Sequence, residues 1–233
     1  MTPDPAGAAI RRRLADAPVG RHALLEAAFA GHRLRPGPAV QAASVCPPPG
    51  SPQPRHLPVV ATDREDVAAR VARLLSGLAW AIVTRPDRDG LVRVEVPRAV
   101  YHRVARALSG AWRDARHAFE LPAVDPGAAV ALWRMAMLVD GIGPQRDMVY
   151  LRAGTPALAE VLVSAAEAVG LAPVVEHVRG GPAVVLCHPG EVHWLLAQAG
   201  AGEPGAGVAG GARAGAGEAA RLWATGVSGP ARA

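Results

Sequence analysis

The chain has 233 residues, half of them hydrophobic and 19% charged; this excludes wholesale disorder and leaves room for one or two domains with a buried core. Aromatic residues make up only 4%, so the core must be aliphatic, and all 25 basic residues are Arg, with no Lys or Asn and three Ile. That is the bias of a GC-rich coding sequence, so the net charge of +5 is informative mainly in its placement: 18 Arg against 10 acids (+8) in residues 1–116, and 7 Arg against 10 acids (−3) in residues 117–233. Such asymmetry suggests that one half meets an anionic partner.

In chain order, Arg11 to Gly31 has a helical pattern, with Leu24, Leu25, Ala28 and Phe29 at helical spacing. Ala39–Val45 and Leu57–Ala61 read as strands around a Pro-dense loop, residues 46–58 (CPPPGSPQPRHLP). Asp63 is placed to cap a helix through Leu75, with Gly77 as its C-terminal stop. Trp80–Thr84 and Leu91–Val96 form a hairpin across Arg-Pro-Asp-Arg-Asp-Gly, and Arg98–Leu108 is helical. The pattern then recurs. Pro126–Asp140 is an apolar helix, Met148–Ala153 a strand, and Thr155 caps a helix to Val169 that stops at Gly170. Pro173–Val178 and Ala183–Cys187 make a second hairpin, and Gly190–Ala199 a closing helix. Residues 200–217 are Gly/Ala-rich and read as a flexible tail, with a short helix expected at 218–223.

Thr62 and Gly77 are 15 positions apart, as are Thr155 and Gly170, and each Gly is followed by Leu-Ala. Together with the element order this predicts an α+β fold of tandem α-β-β-α-β-β-α repeats, at residues 8–110 and 124–200, with a tail at 201–233. The first helices of the two copies should lie side by side about a pseudo-twofold axis, with Ala27, Ala28, Ala30 and Ala136 near the contact.

This order resembles the LAGLIDADG homing-endonuclease fold, and most closely its variant in the WhiA family of bacterial sporulation and cell-division regulators. The opening IRRRLAD and HALLEAAFAG resembles the start of that family, and residues 148–201 (MVYLRAGTPALAEVL to HWLLAQAGA) its second copy. The resemblance covers roughly residues 8–200. It implies DNA as partner and, in nuclease members, one acid at the end of each central helix to hold divalent metal. It also implies a helix-turn-helix domain, for which the Gly/Ala-rich sequence after residue 200 has no counterpart.

The acids decide between nuclease and non-nuclease. AAFAGH puts Gly31 at the first acid position, and MLVDGIG puts Asp140, followed by Gly141, at the second. Metal-assisted phosphodiester hydrolysis needs carboxylates from both sides, and Glu26 lies more than a helical turn too early. No catalytic residue, metal or cofactor is therefore expected. The expected function is a non-catalytic DNA-associated regulator, with a protein-interaction module as the alternative and a residual metal-dependent endonuclease behind it.

Other signals are weaker. Cys187, His188, Glu191 and His193 are metal-ligand types within seven residues, but they fall at a strand end and a helix start, with no matching cluster elsewhere. Gly205 to Gly210 matches a dinucleotide fingerprint without the strand it needs. Cys46 and the histidines form no nucleophile–base pattern, and two cysteines make no disulfide framework. Trp80, Trp112, Trp133 and Trp194 read as core or interface anchors. No apolar run suits a membrane span and the N-terminal charges follow the apolar stretch, against a signal peptide, so a cytoplasmic location is expected.

The candidate DNA contacts follow from strand alternation and charge. Val92, Val94 and Val96 share one face and Arg93 and Glu95 the other; Trp80 and Ile82 share a face, with Arg85 on the opposite one. Gln41 and Ser44 fall on opposite faces of their strand, and Tyr150 and Arg152 on the same face of theirs. The expected DNA-binding residues are Arg11, Arg12, Arg13, Arg85, Arg88, Arg93 and Arg152. The second hairpin is largely apolar on both faces and lies in the acidic half, which argues against a symmetric DNA saddle and fits either one-sided DNA contact or a protein partner on the second copy.

Overall fold

A computed structural model of the chain describes residues 5–36, 53–119, 124–140 and 148–202. The chain divides into two units, residues 1–202 and 203–233, and everything below concerns the first. The expected strand at Ala39–Val45, most of the Pro-rich loop, Cys46, Gly141, the Gly205–Gly210 stretch and the 218–223 helix lie outside the described residues.

Among those residues there are seven helices and two three-stranded antiparallel sheets. The elements are α1 (Pro5–Asp16), α2 (Ala23–Arg33), β1 (His56–Thr62), α3 (Glu65–Leu75), β2 (Ile82–Val83), β3 (Val92–Pro97) and α4 (Arg98–Ala118). They continue with α5 (Pro126–Asp140), β4 (Val149–Arg152), α6 (Pro156–Glu167), β5 (Val174–Val178), β6 (Gly181–Leu186) and α7 (Pro189–Gln198). Strand order is β1-β3-β2 in one sheet and β4-β6-β5 in the other. After α1, the sequence helix, strand, helix, hairpin, helix thus occurs twice, with the last strand of each set in the middle of its sheet.

The expected contact between the two central helices is present: α2 packs along α5, and Ala27, Ala28, Ala30 and Ala136 are all buried. Small side chains let the backbones approach, and the aliphatic positions around them form one continuous core. Trp133 sits fully buried in it, its indole N–H donating to the Leu162 carbonyl at 3.1 Å.

Several local expectations are corrected. Arg11 to Gly31 is two helices, not one. Pro18 lacks an amide hydrogen and disfavours helical geometry at Ala17, and Gly20 follows. Asp63 does not cap α3. The Thr62 hydroxyl instead accepts from the Arg64 amide at 3.2 Å, and Asp66 accepts from the Val67 amide at 2.9 Å. Thr155 does cap α6, accepting from the Leu158 amide at 3.3 Å. Gly170 then ends that region with φ +77°, the left-handed geometry that glycine adopts freely. Gly77, its counterpart by spacing, has no positive φ; the Leu78 and Ala79 amides both return to the Leu75 carbonyl. Helix α4 runs on to Ala118 because Ala111, Trp112 and Ala115 still face the core, offsetting the roughly 1 kcal/mol cost of Gly110. Strand β2 is only two residues long. Trp80 is 80% exposed, so it is no core anchor, whereas Trp112 and Trp194 are partly buried against the core.

Candidate nucleic-acid interface

The α2–α5 axis carries two ion-pair systems, one buried and one at the helix ends. In the first, Glu26 of α2 is 1% exposed and accepts from two arginines. Arg70 of α3 reaches one carboxylate oxygen with Nε at 3.2 Å and Nη2 at 2.8 Å; Arg134 of α5 reaches the other at 2.6 Å. Arg70 is itself fully buried and also donates to the Ala15, Ala17 and Pro18 carbonyls, at the break between α1 and α2. Arg134 also donates to the Ala199 carbonyl at 2.7 Å. One carboxylate thus connects helices from both copies. In the sequence, Glu26 reads only as an acid too early on its helix to be a metal ligand. The signal available was a Glu among small apolar residues at a position that must face the partner helix.

The second system lies where the resemblance places the paired acids. Asp140 ends α5 with its side chain 10% exposed. The residue of α2 that reaches it is not Gly31, which is buried against Leu108, but Arg33, two positions later. Arg33 donates to Asp140 Oδ1 at 3.0 Å and to the Arg152 carbonyl at 2.7 Å. Asp140 Oδ2 and Arg33 Nε make no hydrogen bond among the described residues. Burial pushes the Asp140 carboxyl above the ordinary carboxylate range; the charges of Arg33, Arg64 and Arg152 pull the other way and do not prevail. Asp140 at the ends of the central helices is thus surrounded by three guanidinium groups, of which Arg33 is bound to Asp140 itself and Arg64 donates to Asp66 at 3.0 Å, while Arg152 is exposed. A guanidinium presents planar donors suited to a phosphate oxygen pair, and an excess of them repels a divalent cation.

The other expected contacts are dispersed. Arg85 and Arg88 are exposed on the β2–β3 turn. Arg93 is half-buried and bound to Asp87, whose other oxygen accepts from the Asp89 and Leu91 amides and so shapes the turn. Those backbone donors, and secondarily Arg93, hold the Asp87 carboxyl below its ordinary range. Arg93 is therefore already committed to a carboxylate. Arg12 is exposed and Arg11 half-buried on α1, beside Asp16 and Asp66, while Arg13 donates to the Ala201 carbonyl at 3.5 Å. Arg152 is exposed at the end of β4, and Tyr150 lies on the same face, half-buried. Gln41 and Ser44 lie outside the described residues. Of the seven, the structure brings only Arg152 to the helix ends, where Arg33 and Arg64 join it.

The Cys187–His193 group does not converge on a site. Glu191 accepts from the Ala172 amide at 3.3 Å, and no group of three or more His, Cys, Asp or Glu side chains among the described residues is arranged to hold a metal ion. No described helix is long and apolar enough to cross a membrane.

No protein-family model matches the chain, and no curated protein matches it. Solved structures do. The crystal structure of the N-terminal LAGLIDADG domain of DUF199/WhiA matches with a TM-score of 0.53 at 10% identity, over 86% of this chain and 92% of that one. Full-length DUF199/WhiA from Thermatoga maritima matches with a TM-score of 0.48 at 13% identity, over 95% of this chain and 67% of that one. The chain thus has an α+β fold of two like halves, similar to the LAGLIDADG domain of WhiA.

Proposed function

We propose that this protein is a non-catalytic, DNA-associated regulator that meets the duplex backbone at the ends of its two central helices. The observation that carries this reading is the environment of Asp140: a single acid with Arg33 at 3.0 Å and the charges of Arg64 and Arg152 acting on it. Three guanidinium groups around Asp140, Arg64 among them paired with Asp66 and Arg152 exposed, suit phosphate contact, and Gly31 stands where the second carboxylate of metal-assisted hydrolysis would be. Arg85 and Arg88, exposed on the hairpin of the same basic half, extend the contact, as do Arg11, Arg12 and Arg13 with lesser weight. The two copies are taken to span residues 8–110 and 124–200. The resemblance to WhiA supports a cytoplasmic role in sporulation or cell division.

Supercoiled plasmid incubated with Mg²⁺ or Mn²⁺ should remain intact over hours, while fluorescence anisotropy at low salt should show duplex binding. Cleavage that disappears in Asp140→Asn would overturn the non-catalytic part, and no binding at low salt the DNA part.

A second reading, a protein-interaction module, is favoured by the outer strands. Trp80 (80% exposed) and Val83 lie by the edge of one sheet, and Val174 and Val175 on edge strand β5 of the other, all exposed. Exposed apolar edges invite a partner chain, and absence of duplex binding would shift the account to this reading.

A further inference from the structure

The cleft between α2 and α4, lined also by Val59 of β1, has a volume of about 260 Å³ and no acidic residue among the described residues of its walls. His32 of α2 stacks on Trp112 of α4, with ring centroids 4.7 Å apart and planes 19° from parallel. Phe29 fixes the indole from behind in an edge-to-face contact at 5.8 Å. Arg35, Tyr101 and Ser109 complete the polar lining. Within the described residues Arg35 has no ion pair, and neither hydroxyl has a hydrogen-bond partner. Ala28, Gly31, Ala105 and Leu108 supply the apolar part. The wall is thus about half aliphatic and half aromatic or polar, and apolar contact beside a few uncommitted polar groups is what orients a bound small molecule.

We propose that this cleft binds a small planar aromatic anion, its ring against Tyr101 and the His32–Trp112 stack and its anionic group on Arg35. The ring faces supply flat apolar contact. The Arg35 guanidinium offers a carboxylate or phosphate two parallel donors. The volume lies just below the usual range for drug-sized ligands, which limits the guest to about one ring system. Burial, followed by the charges of Arg35, Arg116 and Arg33, holds the His32 ring below its ordinary pKa, so it presents a neutral aromatic face at pH 7. Both an aryl carboxylate and an aryl phosphate meet this description. The inference does not depend on duplex binding.

The test follows the Trp112 indole N–H in ¹⁵N-correlated NMR spectra, assigned with Trp112→Phe, while the full chain is titrated with benzoate or with phenyl phosphate. Phenol, benzyl alcohol and inorganic phosphate are the controls. A saturable shift with benzoate alone supports the carboxylate source, and one with phenyl phosphate alone the phosphate source. Arg35→Gln, at an exposed position, should weaken the binding at least about tenfold, the loss of one charge-assisted contact. Ala105→Trp, which fills the cleft, should abolish it. No shift with either anion overturns the proposal, as does equal binding of the uncharged controls. Binding of inorganic phosphate as tight as phenyl phosphate, or of ligand by Arg35→Gln as tight as by the native chain, overturns it too.

Discussion

Glu26→Leu should be among the most damaging single substitutions in this protein. The native carboxylate accepts three charge-assisted hydrogen bonds from Arg70 and Arg134. Removing it leaves the Arg70 guanidinium fully buried with only backbone carbonyls for company. Breaking a buried pair in this way costs about 3–5 kcal/mol. The carbonyls of Ala15, Ala17 and Pro18 still solvate part of the charge, which places the expected loss near the lower end, about 3 kcal/mol. For a unit of about 200 residues that lowers Tm by roughly 6–12 °C. Equilibrium urea unfolding followed by circular dichroism would measure it. The double variant Glu26→Leu/Arg70→Met should recover most of the loss, because replacing both members of a buried pair with apolar groups is often neutral. Arg134 keeps its bond to the Ala199 carbonyl in both variants. A loss below about 1 kcal/mol in the single variant, or no recovery in the double, would refute the claim that an uncompensated buried charge is what Glu26 prevents.

Three further outcomes follow from particular side chains. The Asp140 carboxyl is raised above its unfolded value, so between about pH 3.8 and its native pKa the native state binds more protons and loses stability as pH rises. The stability of Asp140→Asn relative to the native chain should therefore grow in the variant's favour across that window in urea midpoints; the opposite trend would mean that Arg33 outweighs burial. His32 should titrate below 6.5 by NMR, and Arg35→Gln should raise its midpoint, since the Arg35 charge is the second cause of the depression after burial; an unmoved midpoint would contradict this. Trp133→Ala should cost about 3–5 kcal/mol, whereas Trp80→Ser should stay within about 0.5 kcal/mol, and equal effects on urea midpoints would contradict the assignment of one to the core and the other to the surface.

Much of the architecture is legible in the chain because its signals are local. Val92, Val94 and Val96 alternate, Thr155 precedes its helix, and Asp87 can only shape a turn where it stands. The small residues around Ala28 and Ala136 announce helices that approach closely. Contacts between distant residues are less legible. Nothing near Glu26 shows that Arg70 and Arg134 converge on it from positions 44 and 108 residues away. The helix-end cluster was half visible: the missing acid at Gly31 could be read, but the reach of Arg33 across to Asp140 depends on how the two helices cross. Trp80 is exposed although its sequence suggests an anchor, because burial of an aromatic residue depends on what covers its strand, and β2 is a two-residue edge.

The central claim is that phosphates contact the ends of the central helices, and the salt dependence of duplex binding tests it most directly. Each phosphate neutralised contributes about −0.9 to the slope of log K against log salt. Replacing Arg152 with Gln should therefore make the slope shallower by about 0.9, with the Arg33–Asp140 and Arg64–Asp66 pairs left in place. An unchanged slope in that variant, with duplex still bound, would place the contact elsewhere on the molecule and contradict the account.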